Sequence, residues 1–394
     1  MRVLVAEYLV TCFRKDMAEL YSDILIEGYA MAQSLGDLLS WAGLSVTTSV
    51  SKDLKQHLYF TNSIEVNPQQ CISDLERASR HFDYAVVVAP PRELIEISKS
   101  LHTQLLQPPH QLIELLSNKY TAVQSLRECG ITVPSTKLIK AHGGVDEEKI
   151  TLPAVLKPAL LTGAACIEVV KNASELAEAL HSVAKCSSES EVVVQEFVEG
   201  VHGSILAFYD TNNVKLYSAN LQFISSTNRE LKFSGGLTPL RSKEFKAQAK
   251  DVASKLKKCF PSLYGFVGMD VVWSSGKTFV VEVNPRPTTT IVSLAKLFQE
   301  LPQGALRSVI LGDSVAYAGD IVVGYSYYVK VKNWIKPPPS VYEEAISFPH
   351  SDYVIVVGKA QNPLLALDRV KIFVKNLVYN LDAVLLAEAQ THGS

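Results

Sequence analysis

Gly268-Met269-Asp270-Val271-Val272 and Phe279-Val280-Val281-Glu282-Val283-Asn284-Pro285-Arg286-Pro287-Thr288-Thr289-Thr290 decide how this chain is read. Two apolar runs flank the tight-turn sequence Ser274-Ser275-Gly276-Lys277, so the stretch predicts a β-hairpin. Asp270 interrupts an otherwise apolar run. Glu282 and Asn284 are two apart and therefore share one face of their strand. A hairpin can bring Asp270 beside that pair. Three hard oxygen donors on a rigid platform suit Mg²⁺, which binds a few carboxylates and takes its other ligands from water and phosphate. Arg286 follows two residues later, near the same face, where its planar fork can meet a carboxylate or a phosphoryl group. The alternative is an ordinary hairpin with solvated acids. It serves for Glu282 alone but poorly for the set Asp270, Glu282, Asn284 and Arg286.

The rest of the composition narrows the function. The chain has 394 residues, 47% hydrophobic and 20% charged, enough for two or three domains with a sizeable core. A net charge of −2 gives no broad attraction for nucleic acid or membrane. No apolar run reaches spanning length, and Met1 to Ala6 reads as a first strand rather than a signal peptide. Six scattered cysteines without a C-x-x-C pair argue against a zinc site or a disulfide framework and for a reduced, cytoplasmic protein. Cys129 and Cys166 read as small core hydrophobes.

Outward from the hairpin, strand and helix patterns alternate over the N-terminal part. Arg2 to Ala6, Leu44 to Val50 and Tyr84 to Ala89 read as strands, and Ile24 to Trp41 and Cys71 to His81 as helices. This predicts an open parallel α/β unit, with no G-x-G-x-x-G for a dinucleotide. Residues 10–24 carry no strong fold signal and read as a loop. Ser117 or Asn118 caps a helix running to Glu128. A strand from Leu152 ends at Lys157, followed by the small-residue loop Ala159 to Ala165. A lysine so placed can hold a phosphate as a point charge or be a solvated surface lysine. Val192 to Val198 is a strand that turns at Glu199-Gly200, with His202 beyond it. Phe233 to Pro239 reads as a loop whose paired Gly235-Gly236 permit either close approach to a ligand or merely a turn. The tail reads as a small appended α+β piece with a stiff Pro337-Pro338-Pro339 break and a loose end past Ala387.

Taken in order, Lys119, Lys157, the Glu196-Phe197-Val198 turn, Asp270 and Glu-x-Asn-Pro-Arg at 282–286 resemble the ATP-grasp superfamily. The match runs from the first strand to about residue 300, and Asp270 precedes Glu282 by 282 − 270 = 12 residues. The resemblance implies an α/β and α+β chain. Its parts are an N-terminal pre-ATP-grasp α/β domain (1–113), small (114–199) and large (200–310) ATP-grasp subdomains, and a C-terminal α+β extension (311–394). It implies that Lys119 and Lys157 hold ATP phosphates and that Glu196, Phe197 and Val198 bind the adenine edge. Asp270, Glu282 and Asn284 would bind Mg²⁺, with Mn²⁺ an acceptable substitute, and Arg286 would stabilise the transferring phosphoryl group. Glu7-Tyr8, Glu27-Gly28-x-x-Met31, Gly200-Val201-His202-Gly203-Ser204, Asn220-x-Gln222 and Ser234-Gly235-Gly236 look like the tyramine–glutamate ligase group of methanofuran biosynthesis. In much of the superfamily an acidic residue two after the strand-turn glycine binds the ribose; here His202 stands there.

That resemblance implies a two-step ligase in which a carboxylate attacks the γ-phosphorus of ATP and an amine then displaces phosphate. The partners would be small-molecule carboxylate and amine substrates, not nucleic acid or membrane, and a homodimer is compatible with it. The substrate wall would run from Gln222 to Gly236 with Glu7 and Tyr8. The competing readings are a nucleotide-binding module without catalysis and an ATP-grasp kinase or carboxylase. His202 could serve as a base, although a binding or structural role suits it better.

Overall fold

The computed structural model describes residues 1–17, 21–58, 60–140, 150–161, 166–186, 191–227, 229–311, 317–334, 336, 341–375, 377 and 381–390. Two sheets organise it. The first is wholly parallel, with strands β1 (Arg2–Glu7), β2 (Ser45–Ser51), β3 (Ser63–Val66), β4 (Tyr84–Val88) and β5 (Gln104–Leu105) in the order β3-β2-β1-β4-β5. Its central strands β1 and β4 are near-continuous runs of buried residues because helices cover both faces. The helix Ser22–Trp41 buries Leu25, Ile26, Tyr29, Leu35 and Leu38, a helical spacing that seats it on one of those faces. The expected parallel α/β unit is therefore present.

The second sheet has twelve strands and holds the rest of the chain. These are β6 (Thr136–Lys140), β7 (Ala154–Pro158), β8 (Glu168–Val170), β9 (Glu191–Glu196), β10 (Val201–Tyr209), β11 (Val214–Thr227), β12 (Glu230–Leu240), β13 (Gly265–Ser274), β14 (Lys277–Asn284), β15 (Tyr325–Lys332), β16 (Glu344–Ser347) and β17 (Tyr353–Ala360). The main path is β14-β13-β10-β11-β12-β8-β7-β9-β6. Strands β6 to β9 pack the helix Ala173–Cys186 over a small core of their own, while β10 to β14 share a larger one with the helices Lys119–Glu128 and Lys243–Cys259. The hairpin is β13 and β14, closed by Ser275 and Gly276, both at positive φ as a tight primed turn requires.

Several expectations change. Residues 10–24 are not one loop: Tyr8–Thr11 is a helical turn, too short to show a period, capped by the Glu7 carboxylate accepting from Val10 N at 2.8 Å. Asn118 is the cap of Lys119–Glu128, accepting from Tyr120 and Thr121, whereas Ser117 ends the preceding helix. Phe233 to Pro239 lies within strand β12, since Gly235 to Thr238 pair with β15. The tail is thus no separate piece; β15, β17 and β16 extend the large sheet. Of the end expected to be loose past Ala387, the described residues 388–390 belong to a helix. Glu388 lies buried in the helix Asp382–Gln390 and accepts from the backbone of Arg241 and of Ser242. The Pro337-Pro338-Pro339 break lies outside the described residues.

The cysteine reading is also corrected. Cys12–Cys71, Cys129–Cys259 and Cys166–Cys186 form three disulfides across 59, 130 and 20 residues of chain. The absence of C-x-x-C says nothing about cysteines that folding brings together from afar. With the thiols paired, the argument for a reduced compartment loses its basis. Among the described residues no helix is long and apolar enough to cross a membrane.

Candidate active site

The hairpin register places its polar groups together. Asp270 sits opposite Glu282 and Gly268 opposite Asn284, with a bulge after Asp270. Like charges directly opposite one another destabilise a strand pair, so this arrangement is not one that folding alone selects. Amides hold Asp270: Gln222 Nε2 donates to Oδ1 at 2.8 Å and Asn284 Nδ2 to Oδ2 at 3.2 Å. Burial, then the charge of Glu282, pushes the Asp270 carboxyl up to about 6 against those hydrogen bonds and Arg286.

Two lysines reach the same acids from other elements. Lys119 opens its helix with the side chain 3% exposed, its Nζ 3.1 Å from Glu282 Oε1 and donating to the Leu161 carbonyl. Lys157, next to last in β7, donates to Gln195 Oε1 at 3.0 Å and to the Val281 carbonyl at 3.3 Å. At 5% exposed it is not a solvated surface lysine. Burial draws it down to about 8, with Glu282 resisting. The Lys157 contacts tie β7 and β9 to β14 across a cavity of about 220 Å³.

That cavity gathers Lys119, Lys157, Glu196, Phe197, Val198, His202, Gln222, Asp270, Glu282, Asn284 and Arg286. Of the loop after Lys157, Leu161 lines it, whereas residues 162–165 lie outside the described residues. Glu196 N donates to the Ser135 carbonyl at 2.8 Å and Phe197 N to that of Pro153 at 3.0 Å, which fixes the turn that would face an adenine. Burial takes His202 down to about 4, so near neutral pH it offers a neutral ring rather than a cation. Burial also lowers Arg286, which is held charged by Glu282, Asp270, Glu27 and Glu7 in that order.

Three expected site residues lie off the cavity. A Cβ on Gly235 would fall 2.0 Å from the Tyr328 carbonyl oxygen and one on Gly236 2.8 Å from that of Leu221. Their missing side chains admit neighbouring strands. Glu7, 2% exposed, stands behind the cavity wall, and a Cβ on Gly28 would lie 2.5 Å from its carboxyl carbon. Burial pushes Glu7 up to about 7, against the Val10 and Leu9 N–H groups and Arg286. The folded protein keeps a proton there that the unfolded chain loses above its ordinary 4.5. This group's contribution to stability is therefore complete below that value and is lost as pH rises toward about 7. Glu7→Gln keeps the acceptor for Val10 and removes the titration. We expect the variant to match the wild type near about pH 5 and to exceed it by about 2 kcal/mol near about pH 8 in paired thermal melts. A difference that does not change with pH would count against this.

Other lining residues carried weaker signals. Gln195 interrupts an apolar run, the same mark that singles out Asp270. Thr288, Thr289 and Thr290 follow Arg286 directly, and Ser204, Tyr328 and Glu27 complete this end of the cavity.

Among the described residues no three His, Cys, Asp or Glu side chains form a metal set. Asp270, Glu282 and the Asn284 carbonyl make a smaller oxygen group, and the mutual repulsion of the two carboxylates is what a dication relieves. The donors fit Mg²⁺ that takes its remaining ligands from phosphate and water.

Residues 116–290 match the ATP-grasp domain family model. An ATP-grasp superfamily protein from Archaeoglobus fulgidus superposes with a TM-score of 0.64 at 20% identity, covering 91% of this chain and 99% of that one. The biotin carboxylase domain of the Hydrogenobacter thermophilus 2-oxoglutarate carboxylase, in complex with MgADP, ADP and bicarbonate, gives 0.62 at 14% identity over 94% and 89%. The L-amino acid ligase from Bacillus licheniformis gives 0.61 at 14% identity over 93% and 95%. The chain has the ATP-grasp fold, with an N-terminal parallel α/β sheet.

Proposed function

With that fold as its frame, we propose that the protein is an ATP-dependent carboxylate–amine ligase. It would form an amide through an acyl phosphate, joining an amino acid such as glutamate to a small amine or a second amino acid. The observation that carries this reading is the convergence of Lys119, Lys157, Asp270, Glu282, Asn284 and Arg286 on one cavity. A binding module without catalysis needs the lysines but not the opposed acids with a buried arginine. Resemblance to the tyramine–glutamate ligase group supports the choice of amide formation.

Each residue then has a chemical task. Lys119 and Lys157 neutralise the phosphates of ATP, and the Glu196 to Val198 backbone takes the adenine edge. Asp270, Glu282 and Asn284 would hold Mg²⁺, whose charge offsets that of the phosphate oxygens. A substrate carboxylate oxygen attacks the γ-phosphorus, forming a P–O bond as the bond to ADP breaks. Arg286 faces the charge that develops on the transferred group. The amine nitrogen then attacks the acyl carbon, phosphate departs with the C–O electron pair, and the amine loses a proton. Activation is needed because a carboxylate is a poor electrophile. Positioning and electrostatics supply the catalysis.

The test is ADP release over a panel of amino acids and amines, with bicarbonate as a separate arm. The ligase reading expects ADP, phosphate and an amide in equal amounts for at least one pair. ATP binding without turnover for any pair would favour the binding module. Bicarbonate dependence, or a stable phosphorylated product, would favour a carboxylase or a kinase.

A further inference from the structure

Among the described residues that line the cavity, Glu27 alone comes from the first hundred. It projects from the helix Ser22–Trp41, and its side chain is 13% exposed. Lys330 Nζ, itself 10% exposed, lies 2.5 Å from Glu27 Oε1, and Thr289 Oγ1 donates to Oε2 at 3.3 Å. Helix, arginine loop and strand β15 thus meet at one carboxylate. These two contacts use one lone pair on each oxygen, and a carboxylate accepts about four hydrogen bonds. Thr288 Oγ1 is buried on the same wall and has no hydrogen-bond partner among the described residues. Arg286 is within electrostatic reach of Glu27.

The charges at this end form a pattern. Lys330 pairs with Glu27, and with Mg²⁺ on Asp270 and Glu282 the Arg286 guanidinium can meet a substrate carboxylate as well as its acid neighbours. Glu27 is a rigid anion supported from two sides, with capacity left toward the cavity. One acceptor of positive charge and one of negative charge on the same wall match a molecule that carries both.

We propose that Glu27 receives the ammonium group of an α-amino acid whose carboxylate lies toward Arg286 and the Thr288 hydroxyl. The assignment rests on the ligase reading, since it names the substrate whose carboxylate ATP activates. It gives β15 a role in the site: Lys330 fixes the Glu27 rotamer.

Calorimetric binding tests it without turnover. The probes are the proteinogenic L-amino acids, each compared with the acid that lacks its α-ammonium, such as glutarate for glutamate. The protein is the full chain with a non-hydrolysable ATP analogue and Mg²⁺. The expected result is at least one amino acid bound about tenfold more tightly than its deaminated counterpart. Glu27→Gln should bring that ratio to within about threefold while the affinity for the ATP analogue stays unchanged. Because Gln leaves Lys330 buried without its partner, the double variant Glu27→Gln/Lys330→Met provides a charge-balanced second test with the same expectation. The proposal is overturned if no amino acid binds more tightly than its deaminated counterpart, or if the preference survives in both variants. Preference without ADP formation for any pair would instead sink the ligase reading and leave Glu27 assigned. ADP formation that ignores the ammonium would do the reverse.

Discussion

Replacing Glu282 with Gln should lower kcat by roughly three orders of magnitude while leaving the fold intact. The side chain sits opposite Asp270, and its Oε1 is 3.1 Å from Lys119 Nζ. Gln keeps the shape and one oxygen but removes the charge that a magnesium ion needs there. It also removes the like charge that helps to raise Asp270. Because Gln also leaves the buried Lys119 ammonium without its carboxylate, these two effects oppose each other in the melt of the free protein, and the expected signature is that stabilisation by ATP with Mg²⁺ shrinks. Steady-state ADP formation and thermal melts with and without nucleotide check both parts. Activity within tenfold of wild type would remove Glu282 from the metal site.

Arg286→Ala should cost about 10²- to 10³-fold in kcat, with the KM for ATP nearly unchanged. The arginine is placed among Glu282, Asp270, Glu27 and Glu7, and its NH1 donates to the Pro287 carbonyl at 3.0 Å. Its removal leaves those acids without their cation, so stability should fall as well. Arg286→Lys separates the two effects. Lysine restores the charge as a point but not the planar fork, so the melt should recover while most of the rate loss remains. Equal recovery of rate and stability would mean that only charge is used. A raised KM for ATP with kcat intact would move Arg286 to nucleotide binding.

The hairpin was legible because a strand in a core is expected to be apolar, and Asp270, Glu282 and Asn284 break that rule at strand spacing. The same local logic narrowed the cap to Ser117 or Asn118 and found the helix ending at Trp41, since capping and 3.6-residue periodicity act within a few residues. Lys157 was ambiguous because a lysine at a strand end looks the same whether it faces water or a cavity. Its contact with the Val281 carbonyl joins elements 124 residues apart. Glu27 was marked only within the Glu27-Gly28-x-x-Met31 resemblance, which gave it no role: an acid on an amphipathic helix is ordinarily a solvated one. Glu7 and the glycine pair stood out as unusual residues, and the structure places them off the cavity, against neighbouring elements. Glu7 packs against Gly28, and Gly235 admits the Tyr328 carbonyl, a partner 93 residues later by 328 − 235 = 93.

The amino-acid sequence by itself determined the parallel α/β unit and the hairpin with its oxygen donors, together with the order of lysines, turn and acids. Those features are written in patterns that repeat over a few residues, governed by local geometry and burial. Tertiary structure alone decided which cysteines pair, that β15 to β17 extend the large sheet, and that Glu27 lines the cavity. Those depend on contacts between distant segments, where closing the chain brings together groups that no local spacing relates.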